Sequence, residues 1–454
     1  MVVGNVSAEL RARFGADVVL ADVPALYLSD ATESRGLEGH AEAVALPRTP
    51  DEVAGVLAWC YERGIAVTPR GGGTGFAGGA VPFGGVVVSL ERLRAVRSFD
   101  PLLWRMEVEA GLTTAEVRRL ARENGLFFPP DPGAAEQSQI GGNVATNAGG
   151  PHAFKYGVTG AWVTGIEAVV PPGDIVRVGG ALRKDVAGYD LVSLLVGCEG
   201  TLGIVTSVWL RLLPAPEAAA PVVAFYPGTE SGCEAVTRVL GSGIGVAALE
   251  YLDAATVELA AGSFPGPAAR GFIVIAEVDG TTEEVASLRE ELLEALAEEA
   301  LGVWAPTSPA DVAALWRWRD GVSIAVQVPL GGKVSEDIAV PLDRLAEAVA
   351  GTIEIGERAG LRACSWGHAG DGNLHSTFLV RPGDEDDLRR AERASEQLFE
   401  LAVRLGGTAS GEHGLGVVKQ GALARQWSPR AHALHTAVKN AFDPRGLLNP
   451  GKKL

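Results

Sequence analysis

Arg70-Gly71-Gly72-Gly73-Thr74-Gly75 follows the β-branched run Ile65–Arg70 (IAVTPR), and its reading decides the fold. Consecutive glycines let the backbone approach a pyrophosphate and turn successive N–H groups toward it. Gly73, Gly75 and Gly78 loosely match the G-x-G-x-x-G fingerprint of a Rossmann unit, but that fingerprint requires a helix to open at the loop. Here the chain continues through Pro82, Gly84 and Gly85 into the strand-like Val86-Val87-Val88. The Rossmann reading therefore fails, and without a G-x-x-x-x-G-K-[ST] stretch so does a Walker-type site. A pyrophosphate cradle and a turn without a ligand both remain open.

Outward from the loop, strands and capped helices interleave. Ala43–Pro47 and Ile65–Arg70 read as strands. Between them Thr49 caps a helix that has Pro50 at its first position and ends at Gly64. Residues 85–93 and 105–111 read as strands. Thr113 to Glu116 forms a capping box for a helix that stops at Gly125. Residues 1–40 read as a helical lead-in. Residues 161–213 read mostly as strands, and Pro214 and Pro216 mark a boundary. Beyond it, helices (one opened by a capping box at Thr281) alternate with strands at 272–280, 336–341, 364–370 and 374–380, followed by a helix over 384–407. This order predicts an α+β protein whose second region is an antiparallel sheet with helices on one face. The expected division is 1–216 (core about 40–214), 217–439, and a tail, 440–454, that returns to the first domain.

The chain has 454 residues, 47% of them hydrophobic, and a formal net charge of -17. That charge argues against a nucleic-acid partner or an anionic membrane surface. Cys60, Cys198, Cys233 and Cys364 form no C-x-x-C pair, the N-terminus lacks a signal pattern, and no run is apolar enough to span a bilayer. A cytoplasmic protein is expected, with peripheral attachment at a membrane left open.

A second glycine-rich stretch, Ile140-Gly141-Gly142-Asn143-Val144-Ala145-Thr146-Asn147-Ala148-Gly149-Gly150, leaves room for a flat ring whose edge Asn and Thr could bond. It also fits a tight-turn region. Together with residues 68–75, KYGVT (155–159), AGYDL (187–191) and GCEGTLGIVTSV (197–208), it resembles the FAD-linked oxidase family, with the vanillyl-alcohol-oxidase type of FAD domain. The resemblance runs in order along most of the chain. It implies that the first loop, through Gly79, binds the FAD pyrophosphate and the second lies along the flavin. Glu199 joins the FAD contacts, Gly203-Ile204-Val205 touches the adenosine half, and Asn449 approaches the flavin. With no histidine between Arg70 and Gly79, FAD is expected to be non-covalent. His152 is weighed as an alternative tether and set aside.

Of seven histidines, three fall in two glycine-framed motifs, His368-Ala-Gly-Asp371-Gly-Asn373-Leu-His375 and Ser410-Gly-Glu412-His413-Gly. Histidine with carboxylate is a usual ligand set for a borderline divalent ion, and the glycines suit a loop that brings both rings together. The pair of motifs resembles the D-lactate, glycolate and D-2-hydroxyglutarate dehydrogenase branch of the family. There the resemblance assigns His368, His375 and Glu412 to a metal, zinc ahead of manganese or iron, His413 to the base, and Asn373 to the substrate. In Leu315-Trp316-Arg317-Trp318-Arg319-Asp320 it assigns Arg319 to the substrate carboxylate, with Ser323 and Lys333 assisting. A guanidinium suits a carboxylate bidentately, and an ordinary imidazole, with a pKa near ~6.5, can take a hydroxyl proton at neutral pH.

The implied activity is FAD-dependent oxidation of a small D-2-hydroxy acid to the 2-oxo acid. The downstream acceptor would be an electron-transfer flavoprotein, a cytochrome or a quinone. A homodimer or partner subunits remain open. The competing readings are a sugar-lactone or alditol oxidase, an ether-lipid synthase-like flavoenzyme and a non-catalytic binding module.

Overall fold

A computed structural model describes residues 6–32 and 35–454. The first glycine loop leaves a three-stranded parallel sheet, ordered Ala43–Ala45, Val86–Ser89, Val67–Arg70. Thr49 caps the intervening helix, Pro50–Arg63, through the Glu52 N–H, and Gly64 ends it in the left-handed region. A five-stranded antiparallel sheet follows, ordered Val96–Asp100, Arg105–Glu109, Ile204–Arg211, Val163–Val170, Asp174–Gly179. Its core and that of the parallel sheet are continuous, with Val86, Val88, Ile166 and Val208 in one apolar cluster.

The second region is a seven-stranded antiparallel sheet. Its order is Gly302–Trp304, Ala218–Tyr226, Phe272–Gly280, Ala248–Leu252, Ala363–His368, Asn373–Val380, Gly332–Ala339. Side chains alternate across it with period two. Tyr251, Phe272, Val334 and Phe378 face helices Thr229–Ser242, Thr282–Ala297, Leu345–Ala359 and Glu385–Arg404. The expectation of helices on one face only is corrected. Leu252, Ile273, Ile275 and Trp366 face the other way, where helices Ala254–Ala260 and Pro309–Ala325 cover part of the sheet with Val257, Leu315, Trp318 and Val322. The uncovered part of that face bounds the candidate site.

Two other expectations change. The N-terminal lead-in is helical only over Val6–Phe14 and one 3-10 turn, Ala25–Tyr27. Gly15 at positive φ and Pro24 break it, while residues 1–5, 33 and 34 lie outside the described residues. The second glycine-rich stretch is not all turn. Ile140–Thr146 forms a helix that Asn147 closes at φ 54. Gly141 permits that helix to approach Ala110, whose Cβ would lie 2.6 Å from any added Cβ.

Residues 152–156 join the two regions. His152 Nδ1 is 2.5 Å from Asp131 Oδ2, and Nε2 is 2.8 Å from Glu277 Oε1 on the seven-stranded sheet. Tyr156 donates to Asp279 at 2.6 Å, and Lys155 pairs with the same carboxylate. Both His152 nitrogens are thus engaged by carboxylates. Burial alone would lower the His152 pKa, but Asp131 and Glu277 outweigh it and raise the pKa to about 11. A raised histidine pKa stabilises fully below the unfolded value of ~6.5, and the contribution fades as pH climbs toward the folded value. His152→Gln should therefore lower the thermal midpoint by several degrees at about pH 6 and by less at about pH 10. An equal deficit at both pH values would show that the charged form contributes nothing.

Candidate active site

The register of the seven-stranded sheet builds the site. Glu250 pairs with His368, Trp366 with His375, and Asp337 with His375. Directly paired antiparallel residues share a face, so Glu250, His368, Trp366, His375 and Asp337 all face the uncovered side. The two histidines are diagonal neighbours across a tight hairpin, closed by the 3-10 turn Ala369–Asp371 and by Gly372 at φ 66. This corrects the expectation of a glycine loop that brings the rings together. The strands do that, and the glycines only make the turn. The rings lie 5.3 Å apart between centroids.

The Ser410–Gly414 loop is held against this face by Asp337. That carboxylate is fully buried and accepts the backbone N–H of Glu412 at 2.5 Å and of His413 at 2.9 Å, while Lys419 pairs with its other oxygen. His413 Nδ1 lies 3.5 Å from Asp337 Oδ1. Its ring stacks on His375 at 5.2 Å, with Phe76 at 4.6 Å. Burial pushes the Asp337 pKa up, but His413 and Lys419 more than reverse this and keep the carboxyl ionised.

Glu412 Oε1 lies 3.3 Å from His368 Nε2 and 3.6 Å from His375 Nε2. One ligand atom from each of the three residues falls within 4.8 Å of the others. Burial opposes ionisation of Glu412, but the neighbouring histidines, His368 foremost, hold its pKa far below the carboxylate range. Burial and His413 push His375 well below the ordinary imidazole value. His375 is therefore neutral and offers a lone pair. Burial would also lower His368, yet Glu250 and Glu412 raise it to about 10. Two imidazole nitrogens and an anionic oxygen, with His368 anchored from behind by a carboxylate, fit a divalent cation that would displace the His368 proton.

Trp316, Arg319 and Ser323 share a face of helix Pro309–Ala325, spaced by three and four residues, and line the same cavity. Arg319 is buried and pairs with Glu250, whereas Arg317 is exposed. Arg319 Nε has no hydrogen-bond partner among the described residues. Lys333 does not line the cavity. It donates to Ser323 and sits over the Trp366 ring at 5.5 Å. Asn373 is also off the wall, where its amide donates to the Ile338 carbonyl at 2.9 Å beneath Gly411.

The glycine loops close the opposite side of this cavity, whose volume is about 1120 Å³. Residues 70–75, Gly79, Gly141, Gly142, Asn143, Thr146, Gly149, Gly150, Glu199 and Gly203–Val205 all line it. A Cβ on Gly149 would stand 2.6 Å from Glu412 Oε2, so the second loop abuts the candidate metal ligands. Glu199 lines the wall and also accepts the Leu415 and Gly416 N–H groups at 3.0 and 2.7 Å. Asn147 turns away and accepts from Gly160 N–H. Asn449 lies behind the wall and donates to the Gly79 and Glu199 carbonyls at 3.0 and 2.7 Å.

Sequence reasoning missed Glu250, Asp337, Trp366 and Phe76. The only signal for the two acids is a charge within an apolar strand, ALEYL for Glu250 and SEDIAV for Asp337.

A glycine-lined cleft facing titratable groups has the form of a cofactor-dependent active site, and similarity says that the cofactor is FAD. Family models agree: residues 41–179 match an FAD binding domain and 215–453 the C-terminal domain of FAD linked oxidases. The chain belongs to the FAD-linked oxidase family. It is 36% identical over 432 residues to glycolate oxidase subunit GlcD of Bacillus subtilis, covering 94% of this chain and 91% of that protein. It is 33% identical over 423 residues to D-lactate dehydrogenase of Anaerostipes hadrus, covering 90% and 89%. Among solved structures, p-cresol methylhydroxylase shares the fold with a TM-score of 0.82 at 18% identity, over 99% of this chain and 96% of that one. An alkyldihydroxyacetonephosphate synthase does so at 0.76 and 18%, over 99% and 86%.

Replacing Asp337 by Asn removes the charge that holds the 410–414 loop. Hydrogen bonds to an ionised group contribute ~1.5–3 kcal/mol, so amide exchange at Glu412 and His413 should quicken by ~10-fold or more. Unchanged exchange would mean that the loop is held elsewhere.

Proposed function

We propose that this protein oxidises a small D-2-hydroxy acid of the D-lactate, glycolate or D-2-hydroxyglutarate class to the 2-oxo acid, with His413 as the base. The observation that carries the reading is the convergence of Arg319, His413 and the His368–His375–Glu412 cluster on one cavity that the glycine loops close. The names of the relatives, a glycolate oxidase subunit and D-lactate dehydrogenases, point to the same substrate class.

In this reading residues 1–216 form the FAD domain, 217–439 the substrate domain, and 440–454 the returning tail. The Arg319 guanidinium takes the substrate carboxylate. Ser323 lies a turn further along the same helix face, and Lys333 steadies it. His413 accepts the hydroxyl proton, and Asp337 behind its Nδ1 compensates the charge that the ring acquires. Phe76 and His375, both packed against the ring, limit its rotation. FAD in the cleft would supply the hydride acceptor, and His368, His375 and Glu412 would hold a divalent ion, zinc ahead of manganese or iron, that would supply Lewis acidity. Electrons then leave to a flavoprotein, cytochrome or quinone acceptor. No helix among the described residues is long and apolar enough to cross a membrane, so a membrane-borne acceptor would have to be met at the surface.

His413→Ala should retain bound FAD and slow anaerobic flavin reduction by D-lactate or glycolate ~10²–10⁴-fold. A wild-type rate in this variant would reject the base assignment. Removing divalent metal with a chelator should abolish reduction, and zinc should restore it. Full activity after verified metal removal would favour a metal-free branch of the family.

A further inference from the structure

Glu250, like Asp337, is a charge at the site with no solvent exposure. It belongs to none of the sequence motifs and lies behind the cavity wall. Its two oxygens serve different residues. Oε1 lies 2.6 Å from His368 Nδ1, and Oε2 pairs with the Arg319 guanidinium. The strand register places Glu250 directly opposite His368, and helix Pro309–Ala325 brings Arg319 to the other side of the same carboxylate.

We infer that Glu250 is a positioning residue that ties the metal pole of the site to its anion pole. The inference rests on the metal and substrate roles proposed above. A proton on His368 Nδ1, donated to Glu250, leaves Nε2, which faces Glu412, as the nitrogen that a cation would take. The ion pair with Glu250 holds the Arg319 guanidinium at the cavity, where its buried Nε has no hydrogen-bond partner among the described residues. One carboxylate thus sets the separation between the nitrogen that would hold a cation and the guanidinium that would hold a carboxylate. In the proposed reading the hydroxyl of a 2-hydroxy acid belongs to the first pole and its carboxylate to the second. A carboxylate that only neutralised buried charge would need no particular partner on each oxygen. Here a glutamine cannot serve both, because the amide end must present N–H groups to either a guanidinium or an Nδ1–H.

The test is Glu250→Gln in the FAD-loaded full chain, stripped of metal and titrated with zinc by calorimetry. Wild type should bind one zinc. The variant should keep its FAD, bind zinc ~10–100-fold more weakly, and show a KM for D-lactate raised ~10-fold or more with a smaller change in kcat. Weaker zinc binding with an unchanged KM overturns the link to Arg319. Equal zinc affinity overturns the link to His368 and leaves the metal site standing. A wild type that takes up no zinc overturns the metal reading itself, and this inference with it. Should the variant lose FAD, zinc-loaded wild type carrying 15N-histidine decides the matter. His368 must show a proton on Nδ1, assigned by its disappearance in His368→Asn, and a proton on Nε2 instead overturns the inference.

Discussion

Three carboxylates fix this site by having nowhere else to put their charge. Glu250, Asp337 and Glu199 are buried, and each is paired with groups that sequence separates widely. Glu250 holds His368 and Arg319. Asp337 holds Lys419 and the N–H groups of Glu412 and His413. Glu199, from the flavin half, holds the N–H groups of Leu415 and Gly416 and pairs with Lys453 at 3.2 Å. Removing the partner of a buried charge costs ~3–5 kcal/mol, so none of these contacts can be released cheaply. The loop carrying Glu412 and His413 is therefore held from both halves of the molecule, and the candidate base and ligands inherit that rigidity.

The same logic joins the halves. His152, between Asp131 and Glu277, and Lys155 and Tyr156, on Asp279, place the end of the second glycine stretch against the seven-stranded sheet. Trp316 donates to Glu277 at 2.7 Å, which extends the seam to the helix that carries Arg319. The contact of Gly149 with Glu412 depends on this alignment. A glycine there lets the loop approach closely, since an added Cβ would require the Glu412 carboxylate to shift.

Much of this was legible in the sequence. The Thr49, Thr113 and Thr281 caps start helices where expected, because capping is local chemistry. The helix test correctly refused the Rossmann fingerprint, and the histidine motifs marked residues that do meet in space. What stayed hidden depends on pairing between distant segments. Glu250 reaches His368 through a strand register across 118 residues, and Asp337 reaches the His413 loop through hydrogen bonds across 76. The Ile140–Thr146 helix was missed because glycine lowers helix propensity, yet here small residues permit close packing on Ala110. Asn373 and Asn449, which motif resemblance assigns to substrate and flavin, bond the backbone behind the cavity wall through their amide N–H groups.

The most direct test of the account is an anaerobic comparison of the FAD-loaded protein with glycolate and with the two enantiomers of lactate, followed by flavin absorbance. The account predicts that glycolate or D-lactate bleaches the flavin within seconds and L-lactate leaves it oxidised. Bleaching by L-lactate alone, or by none of a panel of 2-hydroxy acids in protein that holds both FAD and metal, would contradict it.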